Sequence, residues 1–187
     1  MRNTVSSALA LCAFAMASCG AFAAQSGNQK APAMEITSPA FRNNDAIPTL
    51  YTCEGRNVSP PLAWSGVPPN TKSLVLIVDD PDAPDPAAPN RTWVHWVVYD
   101  IPPDSNGIKE ASKALPRGAR AGLNDSGDLG YGGPCPPIGR HRYFHKLYAL
   151  DITLSDLKRP VKGQVEAAMK NHIIGQAELI GTYQKKK

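Results

Sequence analysis

The stretch Gly130-Tyr-Gly-Gly-Pro-Cys-Pro-Pro-Ile-Gly-Arg-His-Arg-Tyr-Phe-His145 changes character halfway along. Its first half is glycine and proline, which continue neither a helix nor a central strand, since glycine is conformationally loose and proline lacks an N–H. From His141 through Lys146 to Asp151 the side chains alternate as in a strand. His141, Tyr143 and His145 are therefore predicted on one face, and Arg142, Phe144 and Lys146 on the other. A rigid loop thus delivers a histidine and a tyrosine, two positions apart, to the mouth of a sheet. Small polar sites are commonly built in this way, with side chains on a scaffold strand and backbone amides from an adjoining loop.

Two more strands are strongly marked upstream. Ser73 to Asp79 holds the continuous run Leu-Val-Leu-Ile-Val and reads as a strand covered on both faces. It stops at Asp79-Asp80-Pro-Asp-Ala-Pro-Asp-Pro86, an acid cluster in which Asp79 and Asp85 are expected to be solvated and one of Asp80 and Asp82 to have a partner. Arg91 to Asp100 is the second strand; alternation puts Trp93, His95, Val97 and Tyr99 on one face and Val94, Trp96 and Val98 on the other. Both faces are apolar, so the strand is central and His95 is its odd polar residue. A buried imidazole needs hydrogen-bond partners. A lone core histidine is more often structural, but the acid cluster before His95 and a second histidine on another strand favour a functional one.

Around these lie weaker signals. Met34 to Thr37 is a first short strand, and the proline-rich run from Tyr51 to Pro69 an ordered, extended segment on the outside of a sheet. Pro102 to Asp128 is irregular, with a turn at Leu123 to Gly127. Gln164 to Ile173 reads as an amphipathic helix ending near Gly175, and Ala177 to Thr182 as a closing strand. Many strands, proline-rich crossovers and little helix predict an all-β sandwich with one or two small peripheral helices.

The 187 residues, 42% of them hydrophobic, suit one domain with a real core, assigned to residues 34–187. Residues 1–23 read as a secretory signal peptide: Arg2, an apolar run from Val5 to Ala17 that is too short to span a bilayer, then Ala21-Phe-Ala23. Residues 24–33 form a polar leader. Met16-Ala-Ser-Cys19 offers lipoprotein processing, with lipidation at Cys19, as the alternative. Either route predicts a periplasmic or secreted protein. Two cysteines, Cys53 and Cys135, remain after the signal; in an oxidising compartment an even pair reads as a disulfide, two buried thiols being the alternative. Closing a loop of about 80 residues is worth roughly 4 to 5 kcal/mol in the chain-entropy model. With 20 Lys and Arg against 16 Asp and Glu, and no basic stripe interleaved with aromatics, no nucleic-acid partner is expected.

Three blocks together resemble one family: Asn57-Val-Ser-Pro-Pro-Leu62; Asp80-Pro-Asp-Ala-Pro84 with Trp93-Val-His-Trp96; and Gly130-Tyr-Gly-Gly-Pro-Cys-Pro-Pro137 with His141-Arg-Tyr143. In this order they are similar to the phosphatidylethanolamine-binding protein family, in its bacterial branch labelled Raf-kinase-inhibitor-like. The resemblance implies a Greek-key β-sandwich with a small anion-binding pocket at one end. Carried over by position, the pocket takes Asp80, Pro81 and Asp82 from the acid block, His95 from the tryptophan-flanked strand, and Pro137, His141 and Tyr143 from the last block, with backbone from Gly133 and Cys135. The chain departs from the animal members in its short loop between Gly139 and His141, in Val94 where they carry a second histidine, and in ending on a strand and three lysines where they have a helix.

Two imidazoles, a phenol and loop amides are hydrogen-bond donors, and a carboxylate accepting from one imidazole decides which nitrogen faces the cavity. Such a pocket suits phosphate, a phosphate monoester such as phosphoethanolamine, a phospholipid head group, sulfate or acetate, and its affinity is expected to weaken as pH rises above the histidine pKa, about 6.5 before perturbation. No arginine is predicted inside it; Arg142 alternates away from His141 and is expected to pair with Asp82. His145 is expected to line the sheet behind Tyr143, and His172 to pack at the helix end. Membrane contact is expected only through head groups or a lipid on Cys19. The rival readings are a protein-type inhibitor of a protease or kinase and, less well supported, a metal-dependent enzyme on Asp and two His. No Ser stands in a Gly-x-Ser-x-Gly elbow, and neither a cofactor nor catalysis is expected.

Overall fold

The computed structural model describes Met1 and residues 33–112 and 114–186; the rest of the predicted signal segment, with Cys19, and nearly all of the leader lie outside them. The elements are β1 (Glu35–Thr37), β2 (Leu62–Ser65), β3 (Ser73–Asp80), β4 (Trp93–Ile101), β5 (Gly107–Ile108), β6 (Arg120–Ala121), β7 (His141–Leu150), α1 (Lys162–Met169) and β8 (Ile173–Tyr183). Their pairings are antiparallel. One sheet has the order β1-β2-β5 and the other β6-β4-β3-β7-β8. The all-β sandwich with a peripheral helix is therefore the observed architecture. No helix among the described residues is long and apolar enough to cross a membrane.

β3 is the middle strand of the large sheet and every one of its residues is buried, as its unbroken apolar run requires. Its two faces feed two cores. Leu74, Leu76 and Val78 meet Trp96, Val98, Tyr143 and Leu147 between the sheets, together with Ile36, Leu62 and Trp64 of the small sheet. Val75 and Ile77 meet Val97 and Tyr99 on the opposite face, where Val165 and Met169 of α1 cover them.

β4 does not alternate as predicted. Val78 pairs with Trp96 and Asp79 with Val94, so three residues of β4 oppose two of β3 and His95 is the extra one. Such a bulge reverses the facing of everything beyond it. Val94 consequently packs with Val97 and Tyr99 on the helix side, while His95 turns against Tyr143 with ring centroids 5.1 Å apart. The shared face expected for Trp93, His95, Val97 and Tyr99 does not exist.

Three other expectations are corrected. Asp79 is fully buried rather than solvated. It faces the helix side, where Lys146 Nζ lies 2.8 Å and Lys162 Nζ 2.7 Å from its carboxylate; the two cations make burial of the charge tolerable. The helix is Lys162–Met169, not 164–173, because Asn171 takes a left-handed φ of 67° and Ile173 already pairs in β8. The proline-rich run is not wholly peripheral either: Leu62–Ser65 is the middle strand of the small sheet, made possible because its prolines flank the paired residues. His172 is half-exposed and bonds Asp151, its Nδ1 2.9 Å from Oδ1.

Candidate functional site

A cavity of about 400 Å³ opens where β3 ends and β4 and β7 begin. Asp80, His95, His141 and Tyr143 are buried along it, none more than 6% exposed. Ala83, Pro84, Trp93, Val94, Pro136 and Pro137 make its apolar walls. Gly132, Gly133 and Cys135 bring backbone, and Arg91, Asn124 and Ser126 complete the lining.

The glycine and proline loop is held in place from several directions. Cys135 is joined to Cys53 by a disulfide, 82 residues apart. The N–H of Gly133 donates to Asn57 Oδ1 at 2.7 Å, and the Tyr131 hydroxyl to the Tyr51 carbonyl at 3.0 Å. A Cβ at Gly133 would come within 2.4 Å of both Asn57 Oδ1 and the Tyr51 carbonyl oxygen, so the close approach requires glycine. Asn124 bridges the wall, its Nδ2 donating to the Gly130 carbonyl and its Oδ1 accepting from the N–H groups of Ser126 and Asp128.

His141 is not the free donor expected of it. Its Nδ1 lies 2.7 Å from Asp80 Oδ2 and its Nε2 3.0 Å from the Ile138 carbonyl oxygen, so both ring nitrogens are taken by acceptors of the protein itself. The other oxygen of Asp80 accepts the N–H of Asp82 at 2.8 Å. Asp80 and His141 thus form a saturated pair that shapes the cavity with the edge of a ring.

The open polar groups are His95 and Tyr143. His95 Nδ1 donates to the Gly132 carbonyl at 2.6 Å, and no hydrogen bond to its Nε2 is found among the described residues. Burial pushes this imidazole below its ordinary pKa, against the raising effects of the Gly132 carbonyl and the Asp80 charge. The Tyr143 hydroxyl is buried and has no hydrogen-bond partner among the described residues. Burial, reinforced by the nearby Asp80 charge, raises its pKa well above the usual phenol range, so it stays a donor.

Of the three residues carried over from the acid block, Asp80, Pro81 and Asp82, only Asp80 lines the cavity. Pro81 does not border it, and Asp82 points away into a three-point pairing with Arg142: backbone N–H and Nε to Oδ2 at 2.9 Å each, and a terminal guanidinium nitrogen to Oδ1 at 2.7 Å. Those hydrogen bonds from Arg142 hold the Asp82 carboxyl below the usual carboxylate range. The Asp82–Arg142 pair expected from alternation is present, whereas the roles carried over to Asp82 and Pro81 are corrected by their position. Cys135, Gly133 and Pro137 do border the cavity.

Sequence reading missed Arg91. Its guanidinium stacks over Trp93, 4.4 Å from the ring centroid, and pairs with Asp125 at 3.2 Å. It precedes the first paired residue of β4, so no periodicity marks its direction; its only signal is the aromatic two positions on. Among the described residues no cluster of three His, Cys, Asp or Glu side chains is arranged as metal ligands.

A family model described as phosphatidylethanolamine-binding protein matches residues 37–184. A UPF0098 protein of Methanothermobacter thermautotrophicus is 50% identical over 155 residues, covering 81% of this chain and 99% of that protein. Among solved structures, a phosphatidylethanolamine-binding protein homologue from Chlamydia trachomatis is similar at 46% identity and TM-score 0.76, over 82% of this chain and 99% of the other. Escherichia coli YbcL, described as a member of the mammalian family of the same name, is similar at 33% identity and TM-score 0.75, over 83% and 100%. With the sandwich, the three sequence blocks and the match across almost the whole folded part in agreement, the chain belongs to the phosphatidylethanolamine-binding protein family.

Proposed function

We propose that this protein is an exported binding protein that holds a small anionic oxyacid, of the phosphate or phospholipid head-group kind, in the cavity at the ends of β3, β4 and β7. One observation carries the reading: Tyr143, 1% exposed, lines the cavity, and its buried hydroxyl has no partner among the described residues. Leaving a buried hydroxyl unpaired costs about 1 to 3 kcal/mol, and an oxyanion accepting from it recovers that energy. Arg91 adds a positive charge, and the apolar walls give the rest of a ligand something to lie against. Export is supported by the Arg2 to Ala23 pattern and by the disulfide, which suits an oxidising compartment.

The test is calorimetric titration with inorganic phosphate and with phosphoethanolamine. Tyr143→Phe removes only the hydroxyl, and a hydrogen bond to a charged group is worth about 1.5 to 3 kcal/mol, so affinity is expected to fall at least tenfold. Unaltered affinity in that variant, or no binding to the wild-type protein, rejects the reading.

A further inference from the structure

Building on that cavity reading, we propose that the site selects the singly protonated form of its oxyacid: a phosphomonoester or similar group bearing one O–H, with an apolar substituent, met by Tyr143 as donor and by His95 as acceptor.

The selectivity comes from the wiring of His95. A carbonyl oxygen can only accept, so the 2.6 Å contact with Gly132 places the proton of the neutral ring on Nδ1. Nε2 is left with a lone pair and no bonded partner among the described residues. A second proton there would charge a ring that is 6% exposed. The neighbours do little to stabilise that charge. Asp80, from β3, is committed to His141 and the Asp82 N–H. Asp125 is committed to Arg91 and the Val94 N–H. Asp79 lies on the other face of β3 between Lys146 and Lys162. His145 and His141, from β7, and Arg91 are imidazoles and a cation and supply no negative charge. Burial accordingly lowers the His95 pKa despite the attraction of the three carboxylates.

Beside this acceptor stands an obligate donor. The Tyr143 ring meets the His95 ring edge-on with centroids 5.1 Å apart, and both residues line the cavity. An unprotonated oxygen of a tetrahedral oxyacid accepts from the Tyr143 hydroxyl and a protonated one donates to Nε2. Arg91, one terminal nitrogen of which pairs with Asp125, has further N–H groups to meet the remaining negative charge, and the substituent lies against Pro84, Trp93 and Pro136. A phosphate dianion would set lone pair against lone pair at Nε2. A sulfate ester or phosphodiester has no O–H to give.

Three probes separate the outcomes: phenyl phosphate, phenyl sulfate, and glycerophosphoethanolamine, a diester that carries an ammonium. At about pH 5, below the second pKa of a phosphomonoester near 6, phenyl phosphate is expected to bind at least tenfold tighter than either of the others. Its affinity should stay level below that pKa and fall about tenfold per pH unit above it. For phenylphosphonate, whose second proton leaves at higher pH, the fall should begin correspondingly later. A fall at the same pH for both ligands, affinity that rises with pH, or equal binding of the sulfate overturns the selectivity while leaving the anion cavity intact. Equal binding of the diester shows that its ammonium serves Nε2 and also overturns it. No binding of any probe removes cavity and selectivity together. Long-range nitrogen–proton NMR of the free protein at about pH 6 gives an independent reading: Nδ1 protonated and Nε2 bare is expected, and the reverse tautomer or a doubly protonated ring rejects the assignment. Competition of bound phenyl phosphate by phosphatidylcholine vesicles containing phosphatidic acid, against soluble phosphoethanolamine, assigns the monoester to a lipid or a free source.

Discussion

Asp79 and Asp80 are neighbours at the end of one strand, both almost fully buried, and they serve opposite purposes. On the helix face, Asp79 is clamped between Lys146 and Lys162, and Lys162 also reaches Glu166 on its own helix. On the cavity face, Asp80 is spent on His141, while the Tyr143 hydroxyl and His95 Nε2, whose ring bonds only through Nδ1, find no partner among the described residues. The two faces teach that buried charge alone does not mark a site. The structural carboxylate has its charge matched by two fixed cations, although its Oδ1 makes no hydrogen bond among the described residues, whereas the cavity keeps uncharged donors and acceptors open.

The comparison breaks most readily on the ion-paired face. In Lys146→Met combined with Lys162→Met, the Asp79 carboxylate keeps its burial and loses both cations; about 3 to 5 kcal/mol of unfolding free energy should disappear in a denaturant titration, with ligand affinity unchanged. A loss under about 1 kcal/mol would mean that water reaches Asp79 and that the two faces differ less than the contacts suggest.

Between the faces in importance stands His145, completely buried behind Tyr143, its Nδ1 3.3 Å from the Tyr143 carbonyl oxygen and its ring 5.5 Å from that of Phe41. Burial pushes its pKa down to about 4. The unfolded chain binds this proton near pH 6.5 and the folded one only near 4, so the unfolded state holds more protons between those values and stability rises with pH across that window. The contribution is whole above about pH 6.5 and is lost, to a few kcal/mol, as pH falls through the folded value. His145→Leu should flatten that slope in stability measured against pH; an unaltered slope would place the proton uptake elsewhere.

The smallest expected effect sharpens the contrast most. Tyr143→Phe deletes an unsatisfied buried hydroxyl, so thermal unfolding should show unchanged stability or a gain of up to about 1 kcal/mol, the opposite of the lysine pair. A marked loss of stability would reveal a partner for the hydroxyl and dissolve the distinction.

How much of the site could be read in advance depended on local regularity. β7 pairs without interruption with β8 from His141 to Ala149 and with β3 from Phe144 to Leu150, so its period of two holds and places His141, Tyr143 and His145 together. β4 carries a bulge, and a bulge exists only relative to the strand it opposes, so the facing of His95 could not be taken from alternation. Asp82 and Asp80 look equivalent in Asp80-Pro-Asp82; their separate fates follow from Arg142 standing on one face of β7 and His141 on the other.

The sequence alone determined the class of fold and the buried middle strand, because those follow from apolar runs, proline and glycine positions and a two-residue period, all local properties of the chain; the set of residues at one end was implied by the resemblance of its three blocks to a family. Only the tertiary structure decided which polar groups are already spent and which remain open. Hydrogen-bond capacity is consumed by partners distant in sequence, as His141 is by Asp80 and His95 by Gly132, and a balance of that kind closes only when the chain has folded.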